Sequence, residues 1–441
     1  LLASGKKVVL QGSVSGIGME PYYLDVVVAR IWGAEKPEEE LIFSAHLDHP
    51  KEAANDNASG SASILDIART MKQLIANGKL PQPRRSIRFL WVPEWNGTMA
   101  YIDGHPEFEG PALGGSWLAN VNMDMVGENL ELLHSSLGIT RSPASIPSCL
   151  NDVVENMAAM VDRMNIRTPR GSQSVFNYKM YPYGGGSDHM MFIDRKIPGT
   201  MLCHGDYTHH SSEDTPDKVD PVELERCEII GAGTVWYLAN LNNNEATDLL
   251  YLVQKNAMNN LGAAIRKTMQ YLAANDTVVG AGDEAKNMLG ASLATQIDGL
   301  VDVLHFNNAP ETKQLVTSIQ AGLKYQYEAL AKEVNDALKG TDAAKSVRSI
   351  PDKRVPVRMT RGPLDFGLPA SKLSAEQAAW YSSPEYTLDG NMRFELVNFI
   401  DGKHTVSEIR DAISAEYRPV KLSVVAHYVE DLVSLGLAKW K

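Results

Sequence analysis

Five short segments of this chain carry side chains of the types that hold a divalent metal ion and activate water. They are His46-Leu47-Asp48, Asn55-Asp56-Asn57-Ala58-Ser59-Gly60, Pro93-Glu94-Trp95, Asn122-Met123-Asp124-Met125-Val126-Gly127 and His210 through Thr215. His46 and Asp48 stand two apart at the end of an apolar run, so strand alternation puts both side chains on one side. A ligating histidine usually donates its other ring N–H to a carboxylate, a role open to Asp48. Asp56 lies just before a helical pattern. It reads either as a helix cap, since Asp, Asn and Ser all serve there, or as a short carboxylate bridging two metal ions. Glu94 ends a buried-looking run, Phe89 to Val92, where an unpartnered charge is costly. Taking a proton from water is one reason for it to be there. Asp124 follows another strand end, and His204, His209 and His210 crowd one polar loop, which leaves the choice of ligand among them open. The turn Tyr183-Gly-Gly-Gly-Ser-Asp188-His189 lacks the lysine of a phosphate loop and reads as a tight loop that brings Asp188 near the same site.

The elements that position these groups follow from periodicity. Val26–Ile31, Leu41–Ala45, Ile87–Val92, Trp117–Val121 and Thr200–Cys203 are strand-like, and Ala62 to Ala76 repeats apolar residues at helical spacing. Further helices are expected over about Ile146 to Met164 and Pro221 to Asn240. Strands alternating with helices predict an α/β fold, a mostly parallel mixed sheet flanked by helices, with ligands at the carboxyl ends of the strands. Each chemical segment follows such a strand end, so the pattern predicts one shared cleft.

Beyond residue 243 the character changes. Four blocks are expected: an α/β domain over 1–243, a helical region over 244–340, a linker rich in charge and proline over 341–370, and a small winged-helix-like domain over 371–441. The apolar stripes of the helical region read as core packing or a homodimer surface. A winged helix invites a DNA-binding reading, but residues 371–441 hold eight basic against ten acidic side chains. The whole chain carries a net charge of −12, which opposes nucleic-acid partners. No apolar run approaches the roughly 20 residues of a membrane span. Three cysteines, Cys149, Cys203 and Cys227, form no disulfide framework. The opening Leu-Leu-Ala-Ser, without methionine, reads as a fragment or processed form, and compartment stays open.

With these segments in hand, residues 1–240 resemble the zinc aminopeptidase family that includes the bacterial leucyl aminopeptidases, with glutamate carboxypeptidase and the glutaminyl cyclases as relatives. The resemblance implies zinc, one or two ions per chain, a peptide substrate and, for location, a secreted or periplasmic setting. It implies that His46 and Asp124 bind the first zinc, Asp56 bridges, His210 binds the second, and Glu94 is the general base. In Glu-Glu-x-Gly of the family the second glutamate binds the second zinc. This chain has Glu94-Trp95-Asn96-Gly97, and Trp95 cannot ligate. His49 is one replacement, and Glu94 turning inward is another. The family's tyrosine before the last histidine falls on His209, with Tyr207 two residues earlier, and either is a candidate for the oxyanion. The implied reaction is removal of N-terminal residues from peptides. A mononuclear glutaminyl-cyclase-like acyltransfer and an inactive peptidase-like scaffold are the alternatives.

Overall fold

Buried apolar runs build the centre of the molecule. A computed structural model of the chain describes residues 23–167, 175–346, 350–364 and 367–441 continuously, with isolated positions before residue 23. Seven strands form one sheet: β1 (Val27–Ile31), β2 (Lys36–His46), β3 (Arg85–Val92), β4 (Trp117–Met123), β5 (Leu137–Thr140), β6 (Tyr178–Tyr181) and β7 (Gly199–His204). Their spatial order is β1-β3-β2-β4-β7-β5-β6. β3, β2, β4 and β7 run parallel at the centre, while β1 and β5 pair antiparallel with β3 and β7. The expected mixed, mostly parallel sheet is therefore present. β5 and β6 were not anticipated, since four residues each are too few for a periodic signal.

The helices of this part are α1 (Gly60–Ala76), α2 (Asn96–Gly104), α3 (Leu130–Leu133), α4 (Leu150–Met164), α5 (His189–Asp194) and α6 (Pro221–Asn240). Strand alternation divides the core in two. Leu41, Phe43, Ala45, Phe89, Val121 and Met123 face one side with α1, α4 and α6. Ile42, Leu90 and Val92 face the other with Ile102 of α2 and Phe192 of α5. Phe43 and Phe89 stack at 5.3 Å between ring centres. Truncating either to alanine would cost about 3–5 kcal/mol.

Three long helices follow, α7 (Asn243–Ala274), α8 (Ala281–Phe306) and α9 (Pro310–Leu338). Asn242 and Glu245 form a capping box that starts α7. Part of the apolar stripes expected there is core: Leu250, Val253, Leu261, Leu300, Val316 and Ile319 join the same cluster as the sheet, while Val301 stays exposed. Arg85, fully buried in β3, donates to the carbonyls of Leu241 and Phe306 at 3.2 and 2.7 Å and ties the bundle to the sheet.

The last block contains β8 (Pro356–Arg358), α10 (Ala375–Ala378), α11 (Gly390–Asn398), α12 (Val406–Glu416), α13 (Leu422–Ser434) and β9 (Ala438–Trp440). Thr405 caps α12 through a box with Glu408, and Val406, Ile409 and Ile413 bury its inner face. β8 pairs antiparallel with β9, so the stretch expected as a linker contributes a strand to this unit. Its core is separate from that of the sheet. Contacts to the α/β part are specific: Phe394 stacks on Tyr183 at 5.2 Å, and Glu395 accepts from the backbone and hydroxyl of Ser145. All three cysteines are free.

Candidate metal centre

The parallel strands deliver the site. His46 ends β2, Glu94 follows β3, Asp124 follows β4, and the histidine loop follows β7, so all four reach the carboxyl edge of the sheet. In register, His46 lies opposite Val92 and Ser44 opposite Asn122.

His46 is the pivot. Its Nε2 lies 3.1 Å from Asp56 Oδ1 and 3.3 Å from Asp124 Oδ1. Its Nδ1 lies 3.0 Å from the carbonyl oxygen of Asp48, which can only accept, so Nδ1 carries a hydrogen. A neutral ring in that tautomer aims its Nε2 lone pair at two carboxylates, an arrangement that requires a proton or a metal cation between them. Without metal, burial opposes charge on the ring. Hydrogen bonds to Asp124 and Asp56 and the charges of Asp124 and Glu94 outweigh it and push the pKa up to about 11. A zinc ion with ligand bonds of 2.0–2.1 Å in a tetrahedron separates its ligand atoms by about 3.3–3.4 Å. The two contacts of His46 match that spacing. The donor set of one imidazole and two carboxylates, all buried, suits a divalent cation, which would neutralise both acids.

The Asp48 carboxylate sits farther from His46 Nδ1, at 3.8 Å, and instead accepts the backbone N–H of Glu94 at 2.6 Å. The partner that orients His46 is thus the main chain of Asp48, while its side chain pins the segment carrying Glu94. The Glu94 carboxylate lies with His46 and Asp124 in one group whose ligand atoms are all within 4.8 Å of one another. Burial is the main reason its pKa is pushed up to about 8. The carboxylates of Asp124, Asp188 and Asp56 add to the rise, and His46 opposes it.

Asp56 is not a helix cap. Helix α1 starts at Gly60, with no side-chain cap bond, and Asn57 Oδ1 takes the Gly60 N–H instead. Gly60 is required there because a Cβ would lie 2.0 Å from the Met123 carbonyl oxygen. The Asp56 Oδ2 oxygen meets three imidazoles: Nε2 of His210 at 3.2 Å, of His209 at 3.3 Å and of His49 at 3.5 Å. Burial works against ionisation of Asp56, but its bond to His46 and the charges of His46, His49 and His209 hold its carboxyl below the usual value.

Asp188 is fully buried and accepts the backbone N–H of Trp95 at 3.0 Å and the Thr98 hydroxyl. Burial pushes its pKa up to about 7. It supports the turn carrying Glu94 rather than reaching the imidazoles. Tyr207 is 74% exposed, and no described polar contact joins it to the cluster. His209 faces Asp56.

Asp214 lies in the segment His210 through Thr215, but sequence reasoning assigned no role to it individually. Its Oδ1 accepts the N–H groups of Ala54 and Asn55 at 3.2 and 2.8 Å, and its Oδ2 accepts that of Asp56 at 2.9 Å. It fixes the main chain from which the Asp56 carboxylate projects. Glu128 and Asp206 were missed as well. Glu128 accepts from Asn55, and Asp206 holds the backbone of Thr208 and His209. A buried charge partnered by backbone N–H groups across 158 residues leaves no local signature.

Residues 26–235 match the model of Peptidase family M28. Among curated proteins, the chain is similar to a glutamate carboxypeptidase 2 homolog of Caenorhabditis briggsae. They are 26% identical over 203 residues, 43% of this chain and 25% of that protein. It is also similar to carboxypeptidase Q of Xenopus laevis, 23% identical over 254 residues, 55% of this chain and 47% of that protein. Among solved structures, a zinc aminopeptidase from Bacillus subtilis aligns at 20% identity over 48% of this chain and 49% of that one, with a TM-score of 0.38. The chain thus spans less than half the length of the curated relatives it matches. The family match covers the α/β segment.

Proposed function

We propose, from the M28 match of the α/β segment, that this chain is a zinc-dependent exopeptidase acting on the amino-terminal end of peptides. The observation that carries the proposal is the meeting of His46, Asp56 and Asp124 at metal-ligand spacing with the Glu94 carboxylate beside them. His46, Asp56 and Asp124 would hold zinc. When bound, zinc supplies a Lewis acid for the scissile carbonyl and acidifies water. Glu94, held by the Asp48 carboxylate at its backbone N–H, takes the proton of the attacking water and passes it to the departing nitrogen. The His209 ring, half exposed on the open side of Asp56, is available to donate toward the carbonyl oxygen as charge builds there.

The C-terminal block is proposed as a winged-helix-like module on the strength of helices α11, α12 and α13 and the β8–β9 pair. Its near-neutral charge favours a packing role over DNA. Among the described residues no helix is long and apolar enough to cross a membrane.

The test is a screen of zinc-reconstituted protein against paired peptides that differ only in a free or acetylated N-terminus. Cleavage of the free member alone is expected. Cleavage confined to the carboxyl end would reverse the direction, and cyclisation of N-terminal glutamine without hydrolysis would replace the peptidase reading with acyltransfer.

A further inference from the structure

We propose that a second divalent ion binds beside the first, held by His49, Asp56 and His210 with His209 at its rim, so that His49 replaces the carboxylate lost at Trp95. This rests on the reading above, in which His46, Asp56 and Asp124 hold the first ion.

Asp56 divides its two oxygens between two sets of imidazoles. Oδ1 faces His46, and Oδ2 faces His49, His209 and His210. A short carboxylate with a cation on each oxygen is how paired metal sites are bridged. The ligand atoms of His49, Asp56 and His210 all lie within 4.8 Å of one another. Their spacings of 3.2 to 3.5 Å from Oδ2 bracket the separation of about 3.3–3.4 Å set by tetrahedral zinc bonds.

The tautomer of His49 carries the argument further. Its Nδ1 lies 2.9 Å from the carbonyl oxygen of Lys51, two residues on. His46 does the same with the carbonyl of Asp48, at 3.0 Å. The Lys51 backbone N–H also approaches His49 Nδ1, at 3.4 Å, but the carbonyl at 2.9 Å is the closer partner and can only accept. Both rings therefore keep the hydrogen on Nδ1 and present the Nε2 lone pair, the arrangement that an outer hydrogen bond imposes on a ligating histidine. Nε2 of His49 is buried, has no hydrogen-bond partner and points at the Asp56 carboxylate. A lone pair facing a carboxylate is repelled unless a cation lies between them.

Trp95 has the opposite surroundings. Its backbone N–H is held by Asp188, and its side chain packs among the apolar group that includes Met99 and Tyr101. The chain thus offers two carboxylates and several imidazoles to two dications. Replacing a carboxylate with an imidazole lowers the negative charge of the second site. That shifts its preference away from magnesium and manganese toward zinc, cobalt, nickel and copper.

The test is metal stoichiometry on the full chain, stripped with chelator and dialysed against buffered zinc, with affinities from calorimetry. The wild type should hold two ions. His49→Ala and His210→Ala should each hold one, with the remaining affinity within about threefold of the wild-type first site. A wild type that saturates at one ion would overturn this inference and leave the one-zinc reading standing. Two ions of unchanged affinity in both variants would also overturn it. A wild type that binds none would remove the proposed function itself.

Discussion

Asp214→Asn isolates what holds the Asp56 carboxylate in place. The substitution keeps size and shape but turns one carboxylate oxygen into an NH₂ group. Asp214 Oδ1 serves Ala54 and Asn55 while Oδ2 serves Asp56, so either orientation of the amide sets donor against donor at one of these backbone N–H groups. A hydrogen bond to a charged acceptor contributes about 1.5–3 kcal/mol, and leaving a buried N–H unmet costs a similar amount. Asp214 is buried, so solvent cannot repair the loss. Part of the cost will appear as lower stability and part as misplacement of Asp56. Because Asp56 is shared by both sets of imidazoles, zinc affinity should fall by about 10- to 100-fold, the usual effect of losing a residue that orients a ligand. Competition with a chromophoric chelator measures the affinity, and thermal unfolding in excess chelator measures the metal-independent part. A folded Asp214→Asn protein with zinc affinity within threefold of wild type would refute the assignment of Asp214 as a positioning residue.

Removing zinc should lower the unfolding temperature, and zinc should restore it, with a stabilisation of about 2.7 kcal/mol when free zinc exceeds the dissociation constant a hundredfold; calorimetry with and without chelator checks this. Asp188→Ala should keep the zinc count while lowering kcat/KM about 10- to 100-fold, since the turn bearing Glu94 loses the acceptor for the Trp95 N–H; metal analysis beside kinetics separates the two effects. Glu395 and Glu416 face one another where the last block meets the α/β part. Burial pushes Glu395 up to about 7 and Glu416 well above its usual value. A carboxyl whose pKa is raised on folding stabilises fully below its unfolded value of 4.5 and loses that contribution as pH rises through about 7. Glu416→Gln should therefore raise the unfolding temperature relative to wild type at pH 8 and leave it nearly unchanged at pH 5, and a pH-independent difference would count against the pair.

How much of this was legible in the sequence depends on distance along the chain. The runs Leu41–Ala45, Ile87–Val92 and Trp117–Val121 announced buried strands because both faces of a covered parallel sheet are apolar. His46, Glu94 and Asp124 were readable because each follows such a run by one to three residues. β5 and β6 were not, because their four residues are held by neighbours rather than by any pattern of their own. Asp56 offered two local readings, and only Gly60 seated against the Met123 carbonyl and the imidazoles on both oxygens decide against a cap. Asp48 was expected to orient His46 through its carboxylate. Its carbonyl is nearer, because the chain turns right after the strand and brings the main chain back under the ring. Asp214 acts only through backbone N–H groups far away in sequence, so nothing near it reveals its task.

In the proposed function, Glu94 moves the proton at a zinc site made by His46, Asp56 and Asp124. Glu94→Gln, assayed with aminoacyl anilides beside its zinc content, tests it most directly. Unchanged zinc binding is expected, with activity lowered by about 10²- to 10⁴-fold, the range for losing a general base. A zinc-loaded Glu94→Gln protein with wild-type rates would contradict it.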